Sequence, residues 1–164
     1  MPVIHTERLL MITLTVEMIV AVLKGKEEME RVIPYRTSEE WPLDVYKQFF
    51  PYKIERFTKY PHENTWEGMI IHKNQQLVIG DMGFKGGPDK DQIIHLGYSI
   101  VPGFRGHGFA TEMGKAIIEW GLSQPNVKEA VATCNTDNEA SKRVLEKIGF
   151  KVFKNTREKI HWHY

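Results

Sequence analysis

The sequence holds one cysteine, Cys134, in 164 residues. That excludes an internal disulfide framework and suits a reducing compartment. There is no run of about 18 apolar residues, so no membrane span is predicted. Met1 to Arg8 contains no apolar signal core, and a cytoplasmic protein is expected. A surplus of charge is also missing. Lys and Arg total 22 against 21 Asp and Glu, a formal net charge of +1, which argues against a partner held by bulk electrostatics, nucleic acid above all. No internal repeat or low-complexity linker breaks the chain. With 41% hydrophobic and 26% charged residues, it reads as one ordinary globular domain over residues 1–164, long enough to bury a substantial core.

The chain divides into periodic segments. Arg8–Leu14 reads as a strand. Thr15 is placed as the N-cap of an apolar helical run over Met18–Leu23, and Gly25 ends it. Lys26–Ile33 reads as a short charged helix stopped by Pro34. Ser38–Tyr60 is expected to be a broken helix, starting near Ser38, Glu40 and Pro42 and interrupted at Pro51. Its aromatic residues, Trp41, Tyr46, Phe49, Phe50, Tyr52, Phe57 and Tyr60, read as core anchors, with a pocket wall as the other use. Pro61 and Asn64 mark a loop. Trp66–His72 and Gln76–Lys85 form a hairpin around Lys73–Asn74. After the Gly86–Asp89 turn, Gln92–Val101 is a strand rich in β-branched and aromatic residues.

Then come Pro102–Thr111, a helix to Ser123, a strand over Val127–Cys134, and a helix over Asn138–Ile148. Asn138 is its cap and Gly149 its stop. Phe150–Lys154 and Lys159–Tyr164 close as a hairpin. Hairpins followed by βαβ units predict an α+β protein with a mixed sheet and helices on both faces.

Pro102–Thr111 carries the chemistry. Glycines between a strand and a helix let backbone N–H groups approach a ligand. The helix start adds orphan donors and partial positive charge, which together favour an anion such as phosphate. No Gly-Lys-Ser/Thr follows, so this is no Walker loop. The third glycine of a dinucleotide fingerprint would fall on Thr111, and no βαβ unit opens the chain.

What stands there is Arg105-x-x-Gly108-x-Ala110, and it resembles the acetyl-CoA pyrophosphate loop of the GNAT N-acetyltransferases. Asn138–Phe150 resembles the next helix and strand start of that family. Leu96–Ile100 is similar to its fourth strand. Both are nearest the branch of ribosomal-protein N-terminal (RimJ/RimL-type) acetyltransferases. Together the motifs cover about residues 76–153, roughly half the chain.

The resemblance implies a mostly antiparallel central sheet, splayed at the fourth strand. It implies that Arg105, Gly106, His107, Gly108, Phe109, Ala110 and Thr111 hold the pyrophosphate through their N–H groups. Ile100 and Val101 would offer unpaired backbone to the pantetheine arm and polarise the acetyl carbonyl. Asn138 and Ser141 match positions that contact the coenzyme. The implied reaction moves an acetyl group from acetyl-CoA to a primary amine by direct attack, and the implied partners are acetyl-CoA and that acceptor. The rival is an acyl-CoA-binding sensor without turnover. The family resemblance allows a homodimer.

An amine must lose a proton before it attacks. A glutamate used by several relatives would fall at Thr133, and a tyrosine that protonates the leaving thiolate would fall at Leu145, so neither role transfers. Ser141 is the candidate hydroxyl on the thiolate side. His95 is the candidate base, because histidine is the residue type that exchanges protons near neutral pH. Asp81 and Glu67 are alternatives, and the resemblance also allows a mechanism that uses water and backbone groups alone. Direct attack needs no acyl-enzyme, so Cys134 reads as a small core residue. His161 and His163 share one strand face but lack a third ligand, and no metal is expected.

Overall fold

The computed structural model of the chain describes residues 3–164. In chain order the elements are β1 (Ile4–His5), β2 (Leu9–Thr13), α1 (Val16–Lys24), α2 (Lys26–Val32), β3 (Arg36–Thr37), α3 (Asp44–Lys47), α4 (Phe50–Lys59), β4 (Glu67–His72), β5 (Leu77–Gly83), β6 (Ile93–Ile100), α5 (Phe109–Leu122), β7 (Glu129–Asn135), α6 (Glu139–Ile148), β8 (Lys151–Asn155) and β9 (Lys159–His163). The strands form one sheet in the order β1-β2-β4-β5-β6-β7-β9-β8, and β3 pairs with β5. Among the described residues only the β3–β5 and β6–β7 pairs are parallel. The fold is therefore mixed α/β with a mostly antiparallel sheet.

Local sequence explains most boundaries. Thr15 caps α1 by accepting the Met18 N–H at 3.2 Å. Asn138 caps α6 by accepting the Ser141 N–H at 3.0 Å, and Gly149 ends it at φ 124°. β4 is a central strand, so its run Gly68–Ile71 is buried without alternation; covering both sheet faces removes the polar positions.

The region from Ser38 to Tyr60 differs from expectation. Pro51 does not interrupt a helix; it lies in the first turn of α4, where no intrahelical N–H is required. Ser38 starts no helix. Its N–H donates to the Val78 carbonyl, 3.1 Å away, as the chain leaves β3. The Pro61–Asn64 loop is a 3-10 turn over Pro61–Trp66.

Register assigns the faces. Met69 pairs with Asp81, and Asp81 with Ser99, so these three share one face. Glu67 alternates onto it, and Lys53 of α4 reaches Glu67 there. α1 packs on α4. Ile94, Leu96, Tyr98 and Ile100 point to the other face. α5 lies against it so closely that a Cβ on Gly121 would stand 2.7 Å from the Ile94 side chain. One apolar cluster runs through both layers, from Leu9 and Ile19 to Phe84, Ile117 and Trp162. The helices of the two faces thus meet the sheet on either side of β6, the strand that positions the site.

Candidate active site

The loop after β6 is shaped by two left-handed glycines, Gly106 at φ 78° and Gly108 at φ 80°. A side chain at either is strained. Gly108 caps α5 without a side-chain hydrogen bond, and its carbonyl accepts the Glu112 N–H at 2.9 Å. The N–H groups of residues 106–111 therefore make no hydrogen bond to protein among the described residues. Consecutive free donors at a helix start form a nest for an anion. Arg8 adds charge beside it. Its guanidinium lies 4.4 Å from the Phe109 ring centroid, and its Nε donates to Glu112 at 2.7 Å.

β6 changes partner along its length. Ile93–Leu96 pair with Glu129–Ala132 of β7, and pairing stops there. Gly97–Ile100 pair only with β5. Val101 donates its N–H to the Ile79 carbonyl at 2.9 Å. In an antiparallel ladder the hydrogen-bonded residues alternate, so Ser99 and Gly97 also face β5. Tyr98 and Ile100 therefore turn their backbone groups into the gap that opens before β7. Their carbonyls are engaged, by Tyr46 Oη at 2.8 Å and by Arg105 Nε at 2.8 Å. Their N–H groups face open space. The expected splay is present, but the gap-facing pair is Tyr98 and Ile100; Val101 has spent its donor on the sheet.

A cavity of about 1210 Å³ runs through the gap. At one end lie Arg105, Gly106, Gly108 and the α5 residues Phe109, Ala110 and Thr111. In the middle are Ile100, Asn138 and Ser141. At the other end are Tyr46, Phe49, Tyr52, Lys53, Glu67 and Asp81. Ser141 is not alone: its Oγ is 2.8 Å from Tyr98 Oη. Burial pushes the Tyr98 hydroxyl up to about 12, against the opposing pull of that hydrogen bond, so it is a proton-bearing group at neutral pH. Burial also pushes Asp81 up, to about 6, although the Lys53 charge and contacts from Ser99 and Trp41 favour its ionised form. Asp81 keeps some accessible surface only because it opens on the cavity; elsewhere protein surrounds it.

Three residues singled out in the sequence are not among the cavity's lining: His95, Val101 and His107. His95 Nε2 is 2.9 Å from Asp89 Oδ2, where it ties down the turn before β6, and half its ring is solvent-exposed. The His107 ring packs toward Phe109, 5.7 Å between centroids, and only its backbone joins the nest. Cys134 is buried and accepts the Trp162 indole N–H at 3.2 Å. His161 and His163 pack on Phe153. Among the described residues no group of three or more His, Cys, Asp and Glu is gathered for a metal, and no helix is long and apolar enough to cross a membrane.

Tyr98 and Arg8 carry no sign of a site role in the sequence, whereas Tyr46 is one of the aromatics offered as a pocket wall and does line the cavity. Tyr98 stood inside a recognised motif but read as a strand aromatic. Asp81 carried a signal: a lone carboxylate in an apolar strand is rarely buried without a task.

A family model described as "Acetyltransferase (GNAT) domain" matches residues 8–151. The chain belongs to the GNAT acetyltransferase family. This acetyltransferase is 29% identical over 165 residues to the uncharacterized N-acetyltransferase YjdG of Bacillus subtilis, covering 100% of this chain and 98% of that one. Its fold matches a GNAT-family acetyltransferase from Bacillus anthracis with a TM-score of 0.69 at 17% identity, over 99% of this chain and 97% of the other. It also matches RimL, a ribosomal L7/L12 α-N-protein acetyltransferase solved with coenzyme A, with a TM-score of 0.70 at 15% identity, over 99% and 97%. Acetyl-CoA is the donor such enzymes use, and the residues here fit it: free amides for a pyrophosphate, a gap for an extended arm, and donors facing that gap.

Proposed function

We propose that the chain acts as one N-acetyltransferase domain, moving the acetyl group of acetyl-CoA directly to a primary amine. The observation that carries this reading is the single cavity joining the amide nest of residues 106–111 to the free N–H groups of Tyr98 and Ile100. The backbone amides of residues 106–111 are assigned the pyrophosphate, that of His107 included although its ring lies elsewhere; the expected Arg105 amide is excluded, because its N–H donates to the Pro102 carbonyl at 3.2 Å. The acetyl thioester then lies beside the β6 gap. There the Ile100 or Tyr98 N–H donates to the carbonyl oxygen as negative charge builds on it, a fixed donor aimed at the transition state. Ser141 and Tyr98, hydrogen-bonded to each other, stand on the thiol side and deliver a proton to the departing sulfur. The Asn138 carbonyl oxygen is engaged as the α6 cap, and its amide remains to contact the coenzyme arm.

Placement argues against His95 as the base, because its ring is bonded to Asp89 outside the cavity. The acids at the acceptor end, Asp81 and Glu67, replace it. A carboxylate there also favours turnover over the acyl-CoA sensor, which needs none. The likeness to RimL makes a peptide α-amino group one acceptor to test beside small amines.

Calorimetric titration with acetyl-CoA tests the donor, and thiol release across an amine panel tests the transfer. Binding with release that depends on an added amine supports the reading. Absence of binding at high micromolar acetyl-CoA ends it, and binding without release for any amine returns the sensor.

A further inference from the structure

Asp81 lies in a strand whose residues Val78, Ile79 and Met82 are buried apolar side chains. Its Oδ2 accepts the Trp41 indole N–H at 3.2 Å. Directly opposite on β6 stands Ser99, which is 5% exposed. The Ser99 hydroxyl is buried beside Asp81, where it favours the ionised carboxylate, but no partner meets it with ordinary hydrogen-bond geometry among the described residues. A buried hydroxyl with so loose a partner is uncommon and calls for an explanation. Both residues open on the cavity.

The charged and titratable groups facing Asp81 come from each element packed around it. Lys53 of α4 is ion-paired with Glu67 of β4. Tyr46 of α3 donates its hydroxyl hydrogen bond to the Tyr98 carbonyl. Trp41 is neutral. The one nearby cation is thus shared with another carboxylate, and Asp81 makes no ion pair of its own among the described residues. At the mouth above, Val45, Phe49 and Tyr52 are more than half exposed. They gather on α3, α4 and the link between them, where the cavity opens.

The geometry points to Asp81 and Ser99 as the receiving site for the acceptor's ammonium group, with Asp81 as the catalytic residue that takes its first proton and the Val45–Phe49–Tyr52 rim selecting a primary amine on an apolar or aromatic carbon frame. This rests on the amine-acetyltransferase reading. The position suits the reaction. Ser99 sits between Tyr98 and Ile100, whose N–H groups face the gap, so an ammonium held by Ser99 and Asp81 stands next to the polarised carbonyl. It also enters from the sheet face opposite α5, and so does not compete with the phosphates.

In the step, one ammonium N–H bond breaks, its electron pair stays on nitrogen, and an O–H bond forms on Asp81. The freed pair makes the C–N bond to the acetyl carbon. The C–S bond breaks and its electrons leave on sulfur. A second amine proton reaches that sulfur through Ser141 and Tyr98, and the Asp81 proton passes to solvent. A carboxyl raised to about 6 by burial accepts a proton more readily than an ordinary aspartate and is still ionised at neutral pH. Trp41 is a positioning residue that fixes the carboxylate plane.

Trp41 also reports on the site. In protein carrying 15N-tryptophan and saturated with coenzyme A, the Trp41 indole resonance (assigned with Trp41→Phe) is followed during titration with phenethylamine and with methylamine. Phenethylamine should move the resonance to saturation, with an affinity roughly tenfold or more above that of methylamine through burial of its ring. Asp81→Asn should weaken phenethylamine by roughly tenfold or more, the loss expected for a charge-assisted hydrogen bond, while coenzyme A affinity stays unchanged. If Asp81→Asn does not fold, Ser99→Ala should produce a smaller loss of the same kind. An unmoved Trp41 resonance, or equal amine affinity in the variant, overturns the assignment. Equal affinity for the two amines overturns the role of the rim. Loss of coenzyme A binding in the wild type would instead refute the acetyltransferase reading.

Discussion

Replacing Asp81 by asparagine should stabilise the fold at the same time as it harms amine binding. The asparagine side chain keeps an oxygen for the Trp41 indole and removes a charge held where protein surrounds it. An ordinary aspartate titrates near 3.8, and Asp81 in the fold near 6. In the window between them the native state holds a proton that the unfolded chain has lost. Stability therefore falls as pH rises through that window, and the deficit is complete above about 6. At about 1.4 kcal/mol per pH unit the deficit is about 3 kcal/mol. The carboxylate opens on the cavity, where solvent screening lowers the penalty, so this is an upper figure. For a chain of this size each kcal/mol moves the melting temperature by about 2–4 °C, and the variant should melt up to about 6–12 °C higher at pH 8. The gain should nearly vanish at pH 4, where the native carboxyl is already protonated. Differential scanning calorimetry of both proteins at the two pH values measures this. A variant that melts no higher at pH 8, or a difference that does not change with pH, would refute a destabilising buried charge at this position.

Other consequences can be checked independently. Gly108→Val places a branched side chain at φ 80° in the amide nest; it should cost about 1–2 kcal/mol of stability through the left-handed backbone and abolish acetyl-CoA binding in calorimetry. Tyr98→Phe removes the Ser141 partner and should lower kcat by roughly 10–100-fold with little change in acetyl-CoA affinity; steady-state kinetics beside calorimetry separates the two. Glu112 accepts from Thr6 Oγ1 at 2.6 Å, Arg8 N at 2.8 Å and Arg8 Nε at 2.7 Å. Burial raises its pKa, but these bonds outweigh that and hold it below the usual range, so its stabilisation is present above about 4.5 and lost as pH falls through the lower folded value. Glu112→Ala should cost about 1–3 kcal/mol in urea unfolding at pH 7 and much less at pH 3. His95→Ala should leave the pH–rate profile unchanged, because its ring serves the turn at Asp89.

What the sequence revealed was what depends on neighbours in the chain. Thr15 and Asn138 cap helices three residues away, Gly149 stops one, and the glycines before α5 make a nest from local backbone alone. The GNAT motifs occupy that same local stretch, which is why cofactor chemistry was legible. What stayed hidden depends on distant partners. The direction of the Val101 N–H follows from pairing with Ile79, and no residue near Val101 encodes that register. Tyr98 meets Ser141 across 43 residues, and Trp41 meets Asp81 across 40. The short strand β3 exists only because β5 offers an edge to two residues, too few to form a pattern. Pro51 looks like a break in the sequence because its effect depends on the turn it occupies: in the first turn the missing N–H has no partner to lose. His95 is a residue type often used as a base, but Asp89 holds its ring.

The central claim is that one continuous cavity seats acetyl-CoA with its phosphates on the 106–111 amides and its thioester at the β6 gap. A crystal structure with bound coenzyme A tests it most directly. The account predicts pyrophosphate oxygens about 2.9 Å from several of those amide nitrogens, and the thiol sulfur beside Ile100, Tyr98 and Ser141. A coenzyme whose pyrophosphate lies away from the α5 start, or whose thiol points out of the gap, would contradict it.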